Sequence, residues 1–165
     1  MAWQESLAGE HSLLLGGLSS IGLDITDAQK DLLMRYLAMF IKWNKAYNLS
    51  AIRDPKAMVT LHLLDSLVVA PHFKGKNVLD VGTGGGFPGI PLAIMFPETQ
   101  FILVDSIGKK IKVVEAVAES LGLLNVTSIH GRAEKVKGEF DFIVSRAVTQ
   151  MDDFVKWVRK KIRRK

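Results

Sequence analysis

Val78-Leu79-Asp80-Val81-Gly82-Thr83-Gly84-Gly85-Gly86-Phe87-Pro88-Gly89 reads as an apolar strand running into a glycine-rich turn and then into a helix opened by proline. Such a turn needs glycine for two reasons. The chain takes positive φ angles there, and a ligand must reach the backbone without meeting a Cβ atom. Gly82, Gly84 and Gly86 are therefore expected ligand contacts. The run contains Gly84-x-Gly86-x-x-Gly89, which matches the dinucleotide fingerprint, and Asp105 follows Gly82 by 23 residues, near the spacing of about 20 that goes with it. A nicotinamide-dependent oxidoreductase is accordingly one reading. Asp80 favours another: a carboxylate at the strand's end suits a cationic amino group such as that of methionine, whereas a pyrophosphate prefers an uncharged turn. No Lys-Ser/Thr pair closes the turn, which excludes a P-loop.

Downstream, short β-branched runs over 101–104, 126–130 and 140–145 join the first strand at 77–81, with helical patterns over 88–95, 109–121 and 152–162 between or after them. This βαβ alternation predicts an α/β fold with a parallel sheet covered on its faces. Upstream, Thr26-Asp27-Ala28-Gln29 is a capping-box pattern, after which Leu32, Leu33, Tyr36, Leu37, Phe40, Ile41 and Tyr47 recur at helical spacing. A second helix is expected from Asp54 as N-cap and Pro55 at its first position, stopping before Pro71, with Met58, Leu61, Leu64 and Val68 on its apolar face. Leu13 to Leu18 adds a turn or a short helix. The division expected is a helical region over 1–72 and a cofactor-binding domain over 73–165.

Right-handed crossovers place the fourth strand on the opposite side of the first from the second and third, so the strand order reverses beside the first strand, where such folds bind ligands. Asp105, closing the second strand, is placed to accept both hydroxyls of a ribose, or to cap the following helix. Gly131-Arg132-Ala133-Glu134 ends the third strand; the Ala133 backbone and the Glu134 carboxylate would face the edge of an adenine. Arg146, ending the fourth, is the candidate to line the crevice and position a substrate.

Composition narrows the class. With 48% hydrophobic and 24% charged residues the chain is an ordinary globular one. It has no cysteine, so disulfides, thiolate metal sites and thiol nucleophiles are excluded, and no metal is expected. Met1-Ala2-Trp3-Gln4-Glu5 is neither basic nor followed by a leader's apolar stretch, and no run approaches the roughly 20 apolar residues of a membrane span, so a cytoplasmic protein with no membrane partner is expected. A monomer is the oligomeric state expected. The net charge of +5 is uneven: 156–165 holds seven basic residues and no acidic one, leaving 15 basic against 17 acidic over 1–155. A basic cluster of that kind attracts phosphate backbones or forms a solvated helix end.

Several segments together carry a resemblance: Lys42-Trp43-Asn44-Lys45-Ala46-Tyr47-Asn48-Leu49, His62-Leu63-Leu64-Asp65-Ser66-Leu67, Asp80 to Pro91, Asp105-Ser106-Ile107-Gly108-Lys109-Lys110, Arg132-Ala133-Glu134 and Ser145-Arg146-Ala147. Over roughly 26–149 the chain resembles the ribosomal small-subunit RNA guanine-N7 methyltransferase G family, also called glucose-inhibited division protein B. The resemblance implies a class I, Rossmann-like fold that uses S-adenosyl-L-methionine as cofactor and 16S ribosomal RNA or the small ribosomal subunit as partner. It implies cofactor contacts at Gly82, Phe87, Ala133, Glu134 and Arg146, with Asp105 on the ribose. Lys42, Lys45, Lys109, Lys110 and Arg132 are expected on RNA phosphates, and no general base is expected. Read without it, Asn44, Asn48, His62 and Asp65 are helix-surface or core-edge residues. The family continues through further strands where this chain closes in Arg159-Lys160-Lys161-Ile162-Arg163-Arg164-Lys165, so the sheet is expected to be incomplete on its C-terminal side. A module that binds cofactor or RNA without turnover is the non-enzymatic alternative.

Overall fold

The computed structural model describes residues 3–73, 75–146 and 158–162. At its centre is a parallel sheet of β1 (Asn77–Val81), β2 (Gln100–Asp105), β3 (Val126–His130) and β4 (Phe142–Val144) in the order β3-β2-β1-β4. Asp80 is paired with Leu103 on one side and Val144 on the other. The order reverses at β1, as right-handed connections require, so the crevice lies at the carboxyl ends of β1 and β4.

β4 is shorter than the expected 140–145 because Asp141 interrupts it. The Asp141 Oδ2 accepts hydrogen bonds from Lys76 N (2.8 Å) and Asn77 N (3.0 Å), closing the start of β1, and the Asp141 amide donates to Asn77 O. Phe140 instead forms an isolated parallel bridge with Ile162. Of the helix expected over 152–162, residues 158–161 are helical and 152–157 lie outside the described residues.

Helices α1 (Trp3–Ser6), α2 (Ala8–Ser20) and α3 (Asp27–Tyr47) precede the sheet. The capping box forms: Thr26 Oγ1 accepts from Gln29 N, and Gln29 Oε1 accepts from Thr26 N. The same glutamine amide reaches Ile94 O and Met95 O at the end of α6 (Gly89–Met95), while Arg35 reaches Ser120 O near the end of α7 (Gly108–Leu121). These ties run α3 opposite to α6 and α7, so its last turns stand at the crevice end of the sheet. One apolar cluster extends from Leu14 and Leu18 through Leu33, Leu37 and Phe40 to Val78, Phe101 and Leu103. On the other face Leu79, Val104, Val136 and Phe140 form a smaller cluster.

The second expected helix departs from its pattern. Asp54 caps it through Ala57 N and Pro55 opens it, but α4 (Pro55–Met58) widens into a π-helical segment, Val59–Leu64, before α5 (Asp65–Leu67). A wider turn lengthens the repeat of the buried face, which is made of Met58, Val59, His62, Leu63, Ser66 and Leu67. Leu61 and Val68, expected on the apolar side, are consequently 48% and 51% exposed.

Candidate functional site

The turn after β1 is built by both strands that flank it. Val104 O accepts from Gly82 N (2.9 Å) and Thr83 N (3.1 Å), and Asp105 Oδ2 accepts from Gly84 N (2.9 Å), so the end of β2 dictates the path of the loop. Gly82 (φ 67°) and Gly84 (φ 59°) adopt left-handed conformations. A Cβ on Gly84 would meet no heavy atom within 4 Å, which marks a face where a ligand can approach the backbone.

Gly86 and Phe87, also expected as cofactor contacts, face inward. A Cβ on Gly86 would lie 2.6 Å from Ile90 Cδ1 and 2.8 Å from the Tyr36 hydroxyl, so glycine there serves the protein's own packing. Phe87 is buried among Tyr36, Phe40 and His62. Tyr36, which sequence reasoning assigned only to the core, donates its hydroxyl to Gly85 O (2.6 Å). Burial, then the nearby Asp80 charge, holds this phenol well above its ordinary pKa.

Asp80, expected to suit a cationic amino group, is wholly buried. Its Oδ2 accepts from Thr83 Oγ1 (2.7 Å) and Gly89 N (2.9 Å), bracing both ends of the turn, while its Oδ1 is buried with no hydrogen-bond partner among the described residues. Burial pushes the carboxyl up to about 8, against the pull of the Thr83 and Gly89 bonds and of Arg146. A cation brought to this turn would favour the ionised form, so the donor set fits a positively charged ligand. Asp105 does not cap α7. Its Oδ1 accepts from Ile107 N (2.9 Å), and with one bond on each oxygen the carboxylate retains acceptor capacity for two further donors.

At the other lip of the crevice, Ser145 Oγ donates to Val81 O and Arg146 extends over the Phe87 ring, 5.7 Å from its centroid. Arg146 donates from Nη2 to Leu61 O (2.7 Å), and its Nη1 lies 3.3 Å from His62 Nδ1. The Nε is 3.5 Å from Asp65 Oδ2, an ion pair in which Asp65 is largely exposed. His62 Nε2 lies 2.9 Å from Ser50 Oγ, and Asn44 Oδ1 accepts from Ser50 N. Burial first, then the Arg146 cation, pushes His62 down to about 4, with Asp65 acting the other way. The Asn48 side chain accepts from Arg53, whose other Nη donates to Asn44 O (2.9 Å), so Asn48 joins this set only through Arg53 and the Asn44 backbone. Asn44, His62 and Asp65 are thus one connected system ending at Arg146, and Ser50 is the member the sequence left unmarked.

Ala133 and Glu134 sit on a 3-10 turn, Ala133–Lys135, after β3, with Ala133 half-buried and Glu134 exposed. Lys109 and Arg132 are exposed and Lys110 half-buried, at the start of α7 and after β3; Lys42 and Lys45 are exposed in the last turns of α3. All five stand toward the crevice end of the sheet. Among the described residues no helix is long and apolar enough to cross a membrane.

Comparison with known proteins gives a consistent picture. A family model described as rRNA small subunit methyltransferase G matches residues 29–165. The chain is similar to the Ribosomal RNA small subunit methyltransferase G of Alteromonas mediterranea, 45% identical over 149 residues, covering 89% of this chain and 71% of that protein. It is 51% identical over 150 residues to the protein of the same name from Stutzerimonas stutzeri, covering 88% and 70%. In fold it resembles the O-methyltransferase from Bacillus cereus in complex with SAH, with a TM-score of 0.62, 22% identity, and coverage of 88% of this chain and 66% of that one. It likewise resembles the O-methyltransferase TomG from Streptomyces achromogenes in complex with SAM, with a TM-score of 0.60, 17% identity, and coverage of 88% and 65%. The chain therefore spans a little under two thirds of the length of these solved structures and about 70% of the curated relatives.

Proposed function

The chain belongs to the rRNA small subunit methyltransferase G family, and from that premise we propose that it binds S-adenosyl-L-methionine on the Gly82–Gly84 turn and methylates N7 of a guanine in 16S ribosomal RNA. The observation that carries the reading is the open left-handed backbone at Gly84, tied directly to the Asp105 carboxylate. The helical region over 1–72 and the cofactor-binding part over 73–165 differ in role while sharing one core.

When bound, S-adenosyl-L-methionine supplies a methyl group on a cationic sulfur that a lone pair can displace. The residues of this chain divide the work of holding the reactants. Gly82 and Gly84 let the backbone approach, Asp105 takes the ribose hydroxyls, and the Ala133 backbone with the Glu134 carboxylate meets the adenine edge. Asp80 acts through the turn it braces and through its charge, and Phe87 forms the floor beneath Arg146. Arg146 faces the guanine or the cofactor at the crevice between β1 and β4, and Lys42, Lys45, Lys109, Lys110 and Arg132 take phosphates.

Guanine N7 carries its lone pair before reaction, so no residue has to remove a proton first, and alignment is the chain's main contribution. Holding reactants in line is worth on the order of several kcal/mol. The protein acts as a cytoplasmic monomer on the small subunit or its RNA. Calorimetric titration with S-adenosylhomocysteine, repeated on Asp105→Ala, tests the cofactor site: binding that weakens at least about tenfold in the variant, a loss of about 1.4 kcal/mol, is expected. Binding of NAD in its place would refute the reading. Transfer of labelled methyl to guanine N7 of 16S ribosomal RNA tests the substrate, and label appearing on another atom would overturn that part.

A further inference from the structure

Arg146 is gripped by a single stretch of helix. Leu61 O, His62 Nδ1 and Asp65 Oδ2 all come from the π-helical segment or the residue after it. A guanidinium has only donors, so His62 Nδ1 must present its lone pair to Arg146, and the imidazole proton must sit on Nε2, facing Ser50 Oγ. Ser50 cannot drift away from that proton. Its amide donates to Asn44 Oδ1 (2.8 Å), its hydroxyl accepts from Ile52 N (3.0 Å), and Asn44 Nδ2 donates to Ile52 O (3.2 Å). The ring is also fixed in plane, stacked on Phe87 (4.6 Å, 15°) and edge-on to Phe40 (5.5 Å).

We propose that His62, held in its Nε2–H tautomer by Ser50, is the positioning residue that fixes the direction of the Arg146 guanidinium at the crevice. The relay runs from α3 through Ser50 and the π-helical segment to the end of β4, and so joins the helical region to the lip of the site. A guanidinium carries five N–H groups; with three directed at Leu61, His62 and Asp65, two remain for the crevice. The charged groups facing His62 are Arg146 and Asp65, while Ser50, Phe40 and Phe87 are neutral. Protonation of His62 would set a second donor and a like charge against Arg146, and the pair would part. The role in the reaction rests on the function proposed above; the positioning of Arg146 does not.

The test uses the full chain as wild type, Ser50→Ala, His62→Gln and His62→Phe, with two readouts. One is nuclear magnetic resonance of the Arg146 Nε–H and the His62 ring nitrogens; the other is calorimetric titration with S-adenosylhomocysteine. Gln offers an amide oxygen to Arg146 and an amide N–H to Ser50, whereas Phe keeps only the ring stack. The expected result is an ordered Arg146 signal in wild type and His62→Gln, its loss in His62→Phe, and a weakened Arg146 signal in Ser50→Ala, where the Nε2–H has lost its acceptor. The Kd rises about tenfold in His62→Phe and stays within about threefold of wild type in His62→Gln. Acidification until His62 protonates should release the Arg146 signal in wild type, a measurement that needs no variant to fold. An Arg146 signal indifferent to His62→Phe and to acidification, or Gln no better than Phe, overturns the proposal whether or not the cofactor binds. A wild type that binds no S-adenosylhomocysteine while Arg146 still follows His62 refutes the function and supports the positioning.

Discussion

Gly84 and Gly86 are two residues apart, both have positive φ, and alanine at each should fail for a different reason. At Gly84 (φ 59°) the added methyl meets nothing, so the stability cost is that of a left-handed residue, about 1–2 kcal/mol. At Gly86 (φ 109°) the backbone cost is of similar or greater size, about 1–3 kcal/mol, and the methyl must also displace Ile90 and Tyr36. The end of Ile90 can turn aside. The Tyr36 hydroxyl cannot do so cheaply, because it is bonded to Gly85 O and its ring is lodged against Phe40 and Phe87. Overpacking adds about 1–3 kcal/mol, bringing Gly86→Ala to roughly 2–6 kcal/mol in total. Urea unfolding should therefore separate the variants by at least the overpacking cost, about 1–3 kcal/mol, with Gly86→Ala the less stable. Calorimetry with S-adenosylhomocysteine should rank Gly84→Ala as the variant that folds yet binds at least about tenfold more weakly. A folded Gly84→Ala protein that binds as tightly as wild type would refute the assignment of its open face to the cofactor.

Three further outcomes are expected. Asn125, whose amide reaches Ala93 O, Phe96 O and Thr99 O, ties α6 to the start of β2, and Asn125→Ala should cost about 1–3 kcal/mol in urea unfolding, because carbonyls are left unsatisfied; a loss below about 0.5 kcal/mol would contradict this. Burial and the Arg146 cation lower His62 from 6.5 to about 4 in the folded chain, so its contribution is complete above pH 6.5 and is lost as the pH falls to about 4, about 1–2 kcal/mol once solvent screening is allowed for. Asp80, raised to about 8, has the opposite sign, contributing most below about pH 4 and less as the pH rises to 8, so the His62 effect should be read as the stability difference between wild type and His62→Gln; a difference constant from pH 4 to 7 would refute it. If Lys109 and Lys110 touch RNA phosphates, replacing both by alanine should flatten the slope of log K against log salt by about 1.4 to 1.8, and an unchanged slope would exclude them from the interface.

The sheet was legible where sequence and local geometry agree. The expected bounds of β1 and β3 coincide with the structure, because a short apolar run followed by glycine or by a polar turn states both the strand and its end. β4 was overextended because nothing in Phe140 to Ser145 announces that Asp141 turns its carboxylate to the start of β1. The glycine turn was recognised, yet its sides were not. A run of glycines indicates that the backbone needs room, but whether ligand or protein fills that room depends on Tyr36 and Ile90, and Tyr36 lies some fifty residues away. The burial of the Phe87 ring was not legible either, since an aromatic beside such a turn fits a ligand face and a core face equally well.

The π-helical segment shows why the Arg146 system escaped a reading based on periodicity. Expecting 3.6 residues per turn, the pattern selects Leu61 and Val68 as core and leaves His62 at an edge; widening rotates His62 inward and Leu61 out. In a regular α-helix Leu61 O would accept from the amide of Asp65, but here that amide bonds to Thr60 O and His62 O. The Leu61 carbonyl accepts from Arg146 instead of the Asp65 amide, and the Ser66 hydroxyl donates to His62 O at 2.5 Å. Each group that makes the irregular turn tolerable is therefore either a side chain of the His-x-x-Asp-Ser segment or the arginine ending β4, 84 residues distant from His62. The widening and the arginine's seat are then coupled: a regular helix would give the Leu61 carbonyl to the Asp65 amide and turn His62 away from the buried face, and Arg146 would lose two of its contacts on this helix.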